Sequence, residues 1–379
     1  MSHFTVLAAA QLPGEITEQL KLLPELEITR RIIWTAYINS LRSGKASPEL
    51  PPVNDQMRME LLAEHLVEPL LAPYDENTVD PQYRKFADCT EDCRKEYEGS
   101  IDCVRMPDVR ILPTYHWDFS NQFELYAGKV YQRKAGQLHH RVRTKKAKKY
   151  IALQNYPYYR KMYSSFEQFA EQYYCFIRDE ETGTYGFYCN PDAQWDWYQI
   201  GGRWLYRFLV PQDCPIVVCG ERSFLLKDST EPDAPEGYRW VAGARKCDVA
   251  WDMMKAVRLE QSTNKWQKLN EWYQAGKLPK DAHAARITDE GIKSWGYLIY
   301  RKDESLEEYL LREGLSERFR YPFSTFAYLD GNGWVGRGNM GWFGISYDKE
   351  DTHVWNQKLE DFIAGLPDET LLVSVDCHI

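Results

Sequence analysis

The sequence from Tyr185 to Val210 reads YGFYCNPDAQWDWYQIGGRWLYRFLV and combines strand-forming residues with two turn signals. The first signal is Asn190-Pro191-Asp192, and the second is the pair Gly201-Gly202. Glycine adopts the positive φ that two-residue hairpin turns need, so this pair predicts a hairpin in which Ile200 faces Arg203. The whole stretch is therefore expected to form three antiparallel strands.

The predicted hairpin has one aromatic face and one polar face. Alternation along its strands places five rings on the face that favours burial, namely Trp195, Trp197, Trp204, Tyr206 and Phe208. Four polar side chains lie on the other face: Asp196, Tyr198, Arg203 and Arg207. One interpretation is a solvated sheet face with a cross-strand pair between Asp196 and Arg207. The alternative is that these four residues bind an anionic ligand at the floor of a pocket.

Composition limits the classes of protein to which the chain can belong. Its 379 residues can bury a large core and suggest two or three domains or one elaborated domain. A net charge of −9 argues against a general binder of polyanions but leaves room for a local basic site. No apolar run is long enough to span a membrane, and the first residues lack the features of a signal peptide. Nine cysteines, an odd number, indicate reduced thiols, so we expect a cytoplasmic protein with no membrane partner.

Strand patterns open and close the chain, and helical patterns lie between them. Residues 2–8 alternate, and so does the final stretch TLLVSVDCHI. Asp330-Gly331-Asn332-Gly333 predicts a further hairpin. Helical periodicity runs from about Glu15 to Leu71. These patterns predict an α+β protein: a mainly antiparallel sheet covered by helices, with a helical insertion at residues 9–70.

A histidine stands near the outer end of each terminal strand. His3 lies in the opening strand, and His378 shares one face of the closing strand with Asp376. If the two strands are neighbours, imidazole and carboxylate groups come together that can bind a divalent cation or perform acid–base catalysis. His3, Asp376 and His378 are therefore candidate catalytic residues and candidate metal ligands. The competing interpretation is that they only cap the sheet edge.

A strongly basic segment lies near the middle of the chain. From Lys129 to Tyr150 there are nine lysines and arginines and no acidic residue, and a cluster of tyrosines follows. Positive charge suits phosphates and aromatic rings suit bases, so the region 127–160 is a candidate for binding nucleic acid. The predicted contacts are Arg141, Arg143, Lys145 and Lys146. The alternative is a solvated basic loop with ordinary packing tyrosines.

Five separated blocks give the chain a specific resemblance to known sequences. They are MSHFTVL at the start, LAPYDEN at residues 71–77, NPDAQWDWYQIGGRW at 190–204, MGWFG at 340–344 and VDCHI at the end. In this order they resemble a widespread family of uncharacterised proteins found in phages and gut-bacterial mobile elements. In that family the opening strand leads almost directly to LAPYDEN, which implies a core formed here by residues 1–8 and 71–379. The resemblance implies a phage or mobile-element origin and the cytoplasm of a host cell, but it supplies no reaction.

The patterns support two functional hypotheses. The first is an accessory protein that binds a nucleotide-like or nucleic-acid ligand, and its enzymatic form is a metal-dependent phosphodiesterase acting in counter-defence. This hypothesis needs the polar faces of the predicted hairpin and the closing strand to converge. The second is a non-catalytic module that binds and inhibits a host defence protein through exposed aromatic residues and the helical insertion.

Overall fold

The computed structural model describes most of the chain, which divides into two compact units. Unit 1 consists of Met1–Thr78 with Asp192–Ile379, and unit 2 of Val79–Pro191. The described residues are 3–12, 14, 23, 27–30, 33, 54–99, 101–106, 109–113, 115–121, 123–126, 129–132, 149–156, 158–222, 231–280, 282, 284–294, 297–340 and 346–379. Both units combine helices with mainly antiparallel strands, which confirms the predicted α+β class. No helix among these residues has the length and apolar character required to cross a membrane.

Unit 1 is built around a sheet of eight strands. In chain order these are β1 (His3–Ala10), β2 (Trp197–Gly202), β3 (Val217–Val218), β4 (Glu221–Arg222), β5 (Gly243–Arg245), β6 (Ala327–Asp330), β7 (Gly333–Gly336) and β8 (Leu371–His378). Their order across the sheet is β3-β5-β8-β1-β6-β7, while β2 pairs with β8 and β4 pairs with β2. The β1–β6 and β2–β4 pairs are parallel, and the other pairs are antiparallel. β8 is the central strand, because β1 covers one of its edges while β5 and β2 share the other.

The opening and closing strands form where alternation predicted them, and they are partners. β1 and β8 pair antiparallel over eight residues, so that His3 lies opposite His378 and Thr5 opposite Asp376. Their apolar side chains enter two clusters on the two sides of the sheet. Face A carries Phe4, Val6, Val375 and Cys377, and face B carries Leu7, Ala9 and Leu372. By alternation, the polar side chains of His3, Thr5, Asp376 and His378 belong to face B.

Helices cover both faces of this sheet. They are α1 (Asp55–Leu71), α2 (Trp251–Gln274) and α4 (Thr352–Gly365), while α3 (Leu306–Arg312) packs on α2 and α4. α1 packs Leu62 and Val67 against face A, whereas α2 and α4 pack Met254 and Leu359 against face B. The insertion predicted at residues 9–70 lies largely outside the described residues. Its last part, α1, belongs to the core of unit 1.

Local sequence signals explain where several of these elements begin. Ser305 and Glu308 form a capping box at the start of α3, and Asp351 caps α4. The turn Asp330-Gly331-Asn332-Gly333 joins β6 to β7 as predicted. The remaining strands of unit 1 form small sheets: Phe208–Pro211 with Tyr238–Val241; Ala285–Thr288, Gly291–Ser294 and Tyr297–Arg301; and Gly338–Met340 with Ser346–Asp348. Short 3-10 helices span Ala72–Tyr74 and Lys246–Asp248.

The hairpin predicted at Gly201-Gly202 is wrong. Both glycines have positive φ, +81° and +52°, but they continue β2 instead of reversing it. β2 pairs with β8 and β4, and the following strand Phe208–Pro211 pairs with Tyr238–Val241. A Cβ on Gly202 would collide with the carboxylate of Asp376. The glycine therefore permits a close approach between two strands, a role that a local turn signal does not reveal.

Unit 2 is antiparallel and has its own apolar cluster, which contains Tyr159, Phe166 and Phe169. Its strands are Lys85–Asp88, Ile101–Arg105, Ile111–Pro113, Phe123–Tyr126, Lys129–Gln132, Lys149–Tyr156, Ile177–Arg178 and Tyr185–Cys189. Its helices are Thr90–Glu98, Trp117–Ser120, Tyr158–Met162 and Phe166–Gln172. Two of these strands lie within the region 127–160 that was predicted as a basic loop, and residues 133–148 of that region lie outside the described residues.

Candidate functional site

The polar end of face B brings together the three terminal residues selected from the sequence. His3 Nδ1 lies 2.8 Å from Asp376 Oδ1, which joins the neighbouring strands β1 and β8. The rings of His3 and His378 lie 5.0 Å apart between centroids, with an interplanar angle of 71°. Strand pairing explains this convergence, because His3 and His378 are directly opposite residues and Asp376 alternates onto the same face.

Asp196 supplies a second carboxylate. Its Oδ1 atom lies 2.6 Å from His378 Nδ1, and its backbone N–H donates to His378 O at 2.9 Å. Asp196 immediately precedes β2, and the pairing of β2 with the end of β8 places it there. Two histidine–carboxylate pairs therefore lie side by side. We call His3, Asp376, His378 and Asp196 the acid–base centre.

One backbone N–H and the His3 ring hold the Asp376 carboxylate in place. Arg203 N–H donates to Asp376 Oδ2 at 2.9 Å, while Oδ1 is engaged by His3. Gly202 precedes this donor and lets the backbone of β2 approach the carboxylate closely. A carboxylate held at both oxygens orients the imidazole that it contacts. Asp376 therefore acts as the positioning partner of His3.

The acid–base centre extends from the interior towards the surface. The side chains of His3 and Asp376 are 1% and 0% exposed, whereas those of His378 and Asp196 are 14% and 33% exposed. Burial lowers the pKa of His3 and outweighs the hydrogen bond and charge of Asp376, while the charges of Arg203 and His378 also lower it. A neutral His3 that donates through Nδ1 to Asp376 keeps Nε2 as a proton acceptor.

His378 has one ring nitrogen that is buried and, in the described part of the chain, unpaired. Its Nδ1 atom contacts Asp196, and its Nε2 atom is buried with no hydrogen-bond partner among the described residues. Buried polar atoms are normally paired, so this unpaired nitrogen beside a second histidine is an exception that calls for an explanation.

Trp197 forms an aromatic wall at the acid–base centre, and the sequence did not indicate this role. Its ring centroid lies 5.6 Å from that of His3 and 5.9 Å from that of His378, and the residue is 44% exposed. The predicted hairpin had placed Trp197 on a buried aromatic face. The signal that could have indicated this role was its position next to Asp196 in the sequence.

The donor atoms of the acid–base centre do not converge on one point. Each histidine directs Nδ1 to a different carboxylate. In the described part of the chain, no group of three or more His, Cys, Asp or Glu side chains is arranged to hold a metal ion. The structure therefore brings His3, Asp376 and His378 together, and their role as metal ligands stays a prediction.

Tyr198 and Arg203 do not form the pocket that was predicted on the polar face of the hairpin. Tyr198 lies opposite Cys377 and packs on face A beside Trp195, where burial raises its pKa. It is therefore on the other side of the sheet from the acid–base centre. Arg203 contacts the centre through its backbone, and its side chain is exposed.

Arg207 does not form the predicted pair with Asp196, which contacts His378 instead. Arg207 Nη2 lies 3.4 Å from Thr5 Oγ1, and the guanidinium packs over the Phe323 ring at 5.4 Å. The residues predicted to contact nucleic acid lie outside the described residues: Arg141, Arg143, Lys145 and Lys146.

Comparisons with protein-family models, curated proteins and solved structures find no match for this chain. The resemblance to phage and mobile-element proteins therefore stays a prediction. The chemistry of the site is inferred from the geometry of the acid–base centre.

Proposed function

We propose that the acid–base centre of unit 1 cleaves a phosphodiester bond in a nucleotide-like or nucleic-acid ligand. One observation carries this proposal: two imidazole rings lie 5.0 Å apart, and each is held through Nδ1 by its own carboxylate. Two positioned imidazoles can act as a base and an acid on the two sides of one reacting group. Phosphodiester hydrolysis needs both roles, because water must lose a proton and the leaving oxygen must gain one.

The two histidines have different roles in this proposal. His3 is kept neutral by burial and accepts a proton from the attacking water at Nε2. His378 donates a proton from Nε2 to the leaving oxygen as the phosphorus–oxygen bond breaks, which requires that ligand binding first exposes this buried atom. Asp376 and Asp196 each fix the orientation of one ring. Proton exchange with solvent restores both histidines after each turnover.

Two exposed side chains beside the acid–base centre, Arg203 and Trp197, suit a ligand that contains phosphate and bases. Arg203 has an exposed side chain, and guanidinium groups bind phosphate oxygens well. Trp197 exposes its ring beside both histidines, and aromatic rings of this kind stack on nucleic-acid bases. We further propose the setting that the sequence resemblance implies, an accessory protein of a phage or mobile element that acts in host counter-defence.

Hydrolysis of bis(para-nitrophenyl) phosphate and of labelled single-stranded RNA tests this function. His3→Gln and His378→Gln are each expected to lower the rate by about 100-fold or more, because each variant removes one proton-transfer group. His353→Gln is the matched control, since His353 is exposed on α4 and contacts neither histidine pair. Its rate is expected to equal that of the unmodified protein.

Chelation separates the acid–base mechanism from the metal-dependent form of the hypothesis. With excess EDTA, the acid–base mechanism retains its activity, whereas a divalent-cation mechanism loses it and regains it on addition of Mn²⁺ or Zn²⁺. Absence of hydrolysis of both substrates by the unmodified protein would contradict the proposal. The inhibitor hypothesis would then be tested by deleting residues 13–53, which keeps β1 and α1, and measuring capture of the host partner.

A further inference from the structure

Face B carries a second group of polar side chains beside the acid–base centre. The group consists of Thr5, Ser374, Arg207 and Arg258. Thr5 lies opposite Asp376 on the paired strands, and Ser374 precedes Asp376 by two residues on the same face. Thr5, Ser374 and Arg207 are 7%, 1% and 7% exposed, so all three are deeply buried. None of these side chains has a role in the proton transfers proposed above.

Several donor atoms of this group lack acceptors. Arg207 Nη2 donates to Thr5 Oγ1 over a long distance of 3.4 Å. Within the described residues, Arg207 Nε, Arg258 Nε and Ser374 Oγ are buried and have no hydrogen-bond partner. Arg258 Nη2 donates to the backbone oxygens of Tyr206 and Arg207 at 3.2 and 2.9 Å. Buried donors are normally satisfied, so the group lacks an acceptor with several oxygen atoms.

The two arginines also lack a counter-charge. Among the described residues no carboxylate forms an ion pair with either of them, and their side chains pack on the rings of Phe323 and Trp240. Burial lowers the pKa of Arg207 to about 9, assisted by the charge of Arg258, and lowers that of Arg258 to about 10. Two neighbouring buried cations without an anion are unfavourable unless a ligand supplies the negative charge.

We propose that Thr5, Ser374, Arg207 and Arg258 bind a phosphate-type oxyanion on face B. Guanidinium and hydroxyl groups are the donors that phosphate oxygens prefer, and a multivalent anion supplies both the missing acceptors and the missing charge. This inference rests on the unpaired donors. The anion can come from two sources: free phosphate, or a phosphoryl group of the ligand. Only the second source depends on the proposed function.

Calorimetric titration of the whole protein with sodium phosphate, against sodium chloride of equal ionic strength, tests the site. The unmodified protein is expected to bind phosphate and not chloride. Thr5→Val and Ser374→Ala keep the side-chain size nearly constant and are each expected to weaken binding several-fold. Arg207→Gln is expected to weaken it by at least about tenfold, because it removes a charged donor. If Arg207→Gln does not fold, the two hydroxyl variants decide the question.

His378→Gln is the control that separates this site from the proposed reaction. It is expected to abolish hydrolysis while leaving phosphate affinity unchanged. Loss of phosphate affinity in His378→Gln but not in Thr5→Val would move the anion to the acid–base centre and overturn the inference. Absence of phosphate binding by the unmodified protein would overturn it as well, and hydrolysis could still occur.

Titration with a nucleoside monophosphate identifies the source of the anion. If it binds more tightly than inorganic phosphate and Thr5→Val weakens both, a ligand phosphoryl group occupies the site. If the two bind equally and Thr5→Val weakens both, the site takes a free anion. If Thr5→Val weakens neither, the site does not exist as proposed.

Discussion

Gly202 shows at the scale of one residue how a missing side chain shapes the acid–base centre. Its φ is +52°, and a Cβ there would collide with the Asp376 carboxylate that orients His3. Gly202→Ala is therefore expected to lower the free energy of unfolding by about 2 kcal/mol or more, from backbone strain and displacement of Asp376. Urea unfolding measures the change, and hydrolysis is expected to fall with it because His3 loses its positioning partner.

Gly276→Ala is the matched control for this prediction. Gly276 has a similar φ of +62°, but a Cβ there would meet nothing within 4 Å. The control therefore carries only the cost of the left-handed backbone, about 1 kcal/mol. If Gly202→Ala and Gly276→Ala lower the free energy of unfolding equally, the collision with Asp376 adds nothing to the destabilisation.

At the scale of elements, the sequence predicted where the strands of the site lie better than it predicted which strands pair. Alternation located β1 and β8, and their pairing then brought His3, Asp376 and His378 together. The turn between β6 and β7 was also correctly predicted, since a hairpin joins residues that are close in sequence. Gly201-Gly202 carries the same local signal, but β2 pairs with the distant strand β8. No local pattern encodes that contact.

The incorrect hairpin also explains which site residues were assigned wrongly. A hairpin turn at Gly201-Gly202 sets a register that puts Tyr198 and Arg207 on one polar face with Asp196. In the observed sheet β2 continues through the glycines, so Tyr198 alternates onto face A. Asp196 lies before β2 and does not follow its alternation, so its side chain contacts His378 although Tyr198, two residues later, packs on the other face. The buried position of Arg207 depends on tertiary packing that the sequence pattern does not contain.

The attachment of α1 to the sheet gives a prediction about an element. Glu60 on α1 accepts hydrogen bonds from the backbone N–H groups of Cys219 and Gly220, at 2.6 and 3.1 Å, in the link between β3 and β4. Glu60→Ala is expected to lower the free energy of unfolding by about 2 kcal/mol, because these donors lose a charged acceptor. The shift of the urea midpoint at constant slope measures the destabilisation.

Glu68→Ala is the matched control on the same helix. Glu68 is exposed, so the same chemical change is expected to alter the free energy of unfolding by no more than about 0.5 kcal/mol. If Glu60→Ala is no more destabilising than Glu68→Ala, then α1 is held by its apolar contacts on face A alone.

Charge is distributed unevenly at the scale of the whole molecule. Unit 2 contains 18 lysines and arginines against 15 acidic residues, a formal charge of +3. Unit 1 contains the other 29 basic residues against 41 acidic ones, a formal charge of −12. The net charge of −9 is therefore the sum of a basic unit 2 and a strongly acidic unit 1. For the proposed nucleic-acid ligand, this segregation favours unit 2 as the part that contacts the phosphate backbone, while the proposed chemistry belongs to unit 1.

This division of roles predicts that binding and cleavage can be separated. Replacing Arg141, Arg143, Lys145 and Lys146 together by Gln is expected to weaken the binding of labelled single-stranded RNA. It is also expected to reduce the slope of log affinity against log salt by about 0.7 for each phosphate that these side chains neutralise.

The matched control replaces four exposed lysines of unit 1 by Gln: Lys265, Lys268, Lys277 and Lys280. Both proteins are expected to hydrolyse bis(para-nitrophenyl) phosphate at the unmodified rate, because neither variant replaces a residue of the acid–base centre. An equal decrease of RNA affinity in the two would mean that total charge, and not the basic segment of unit 2, determines binding.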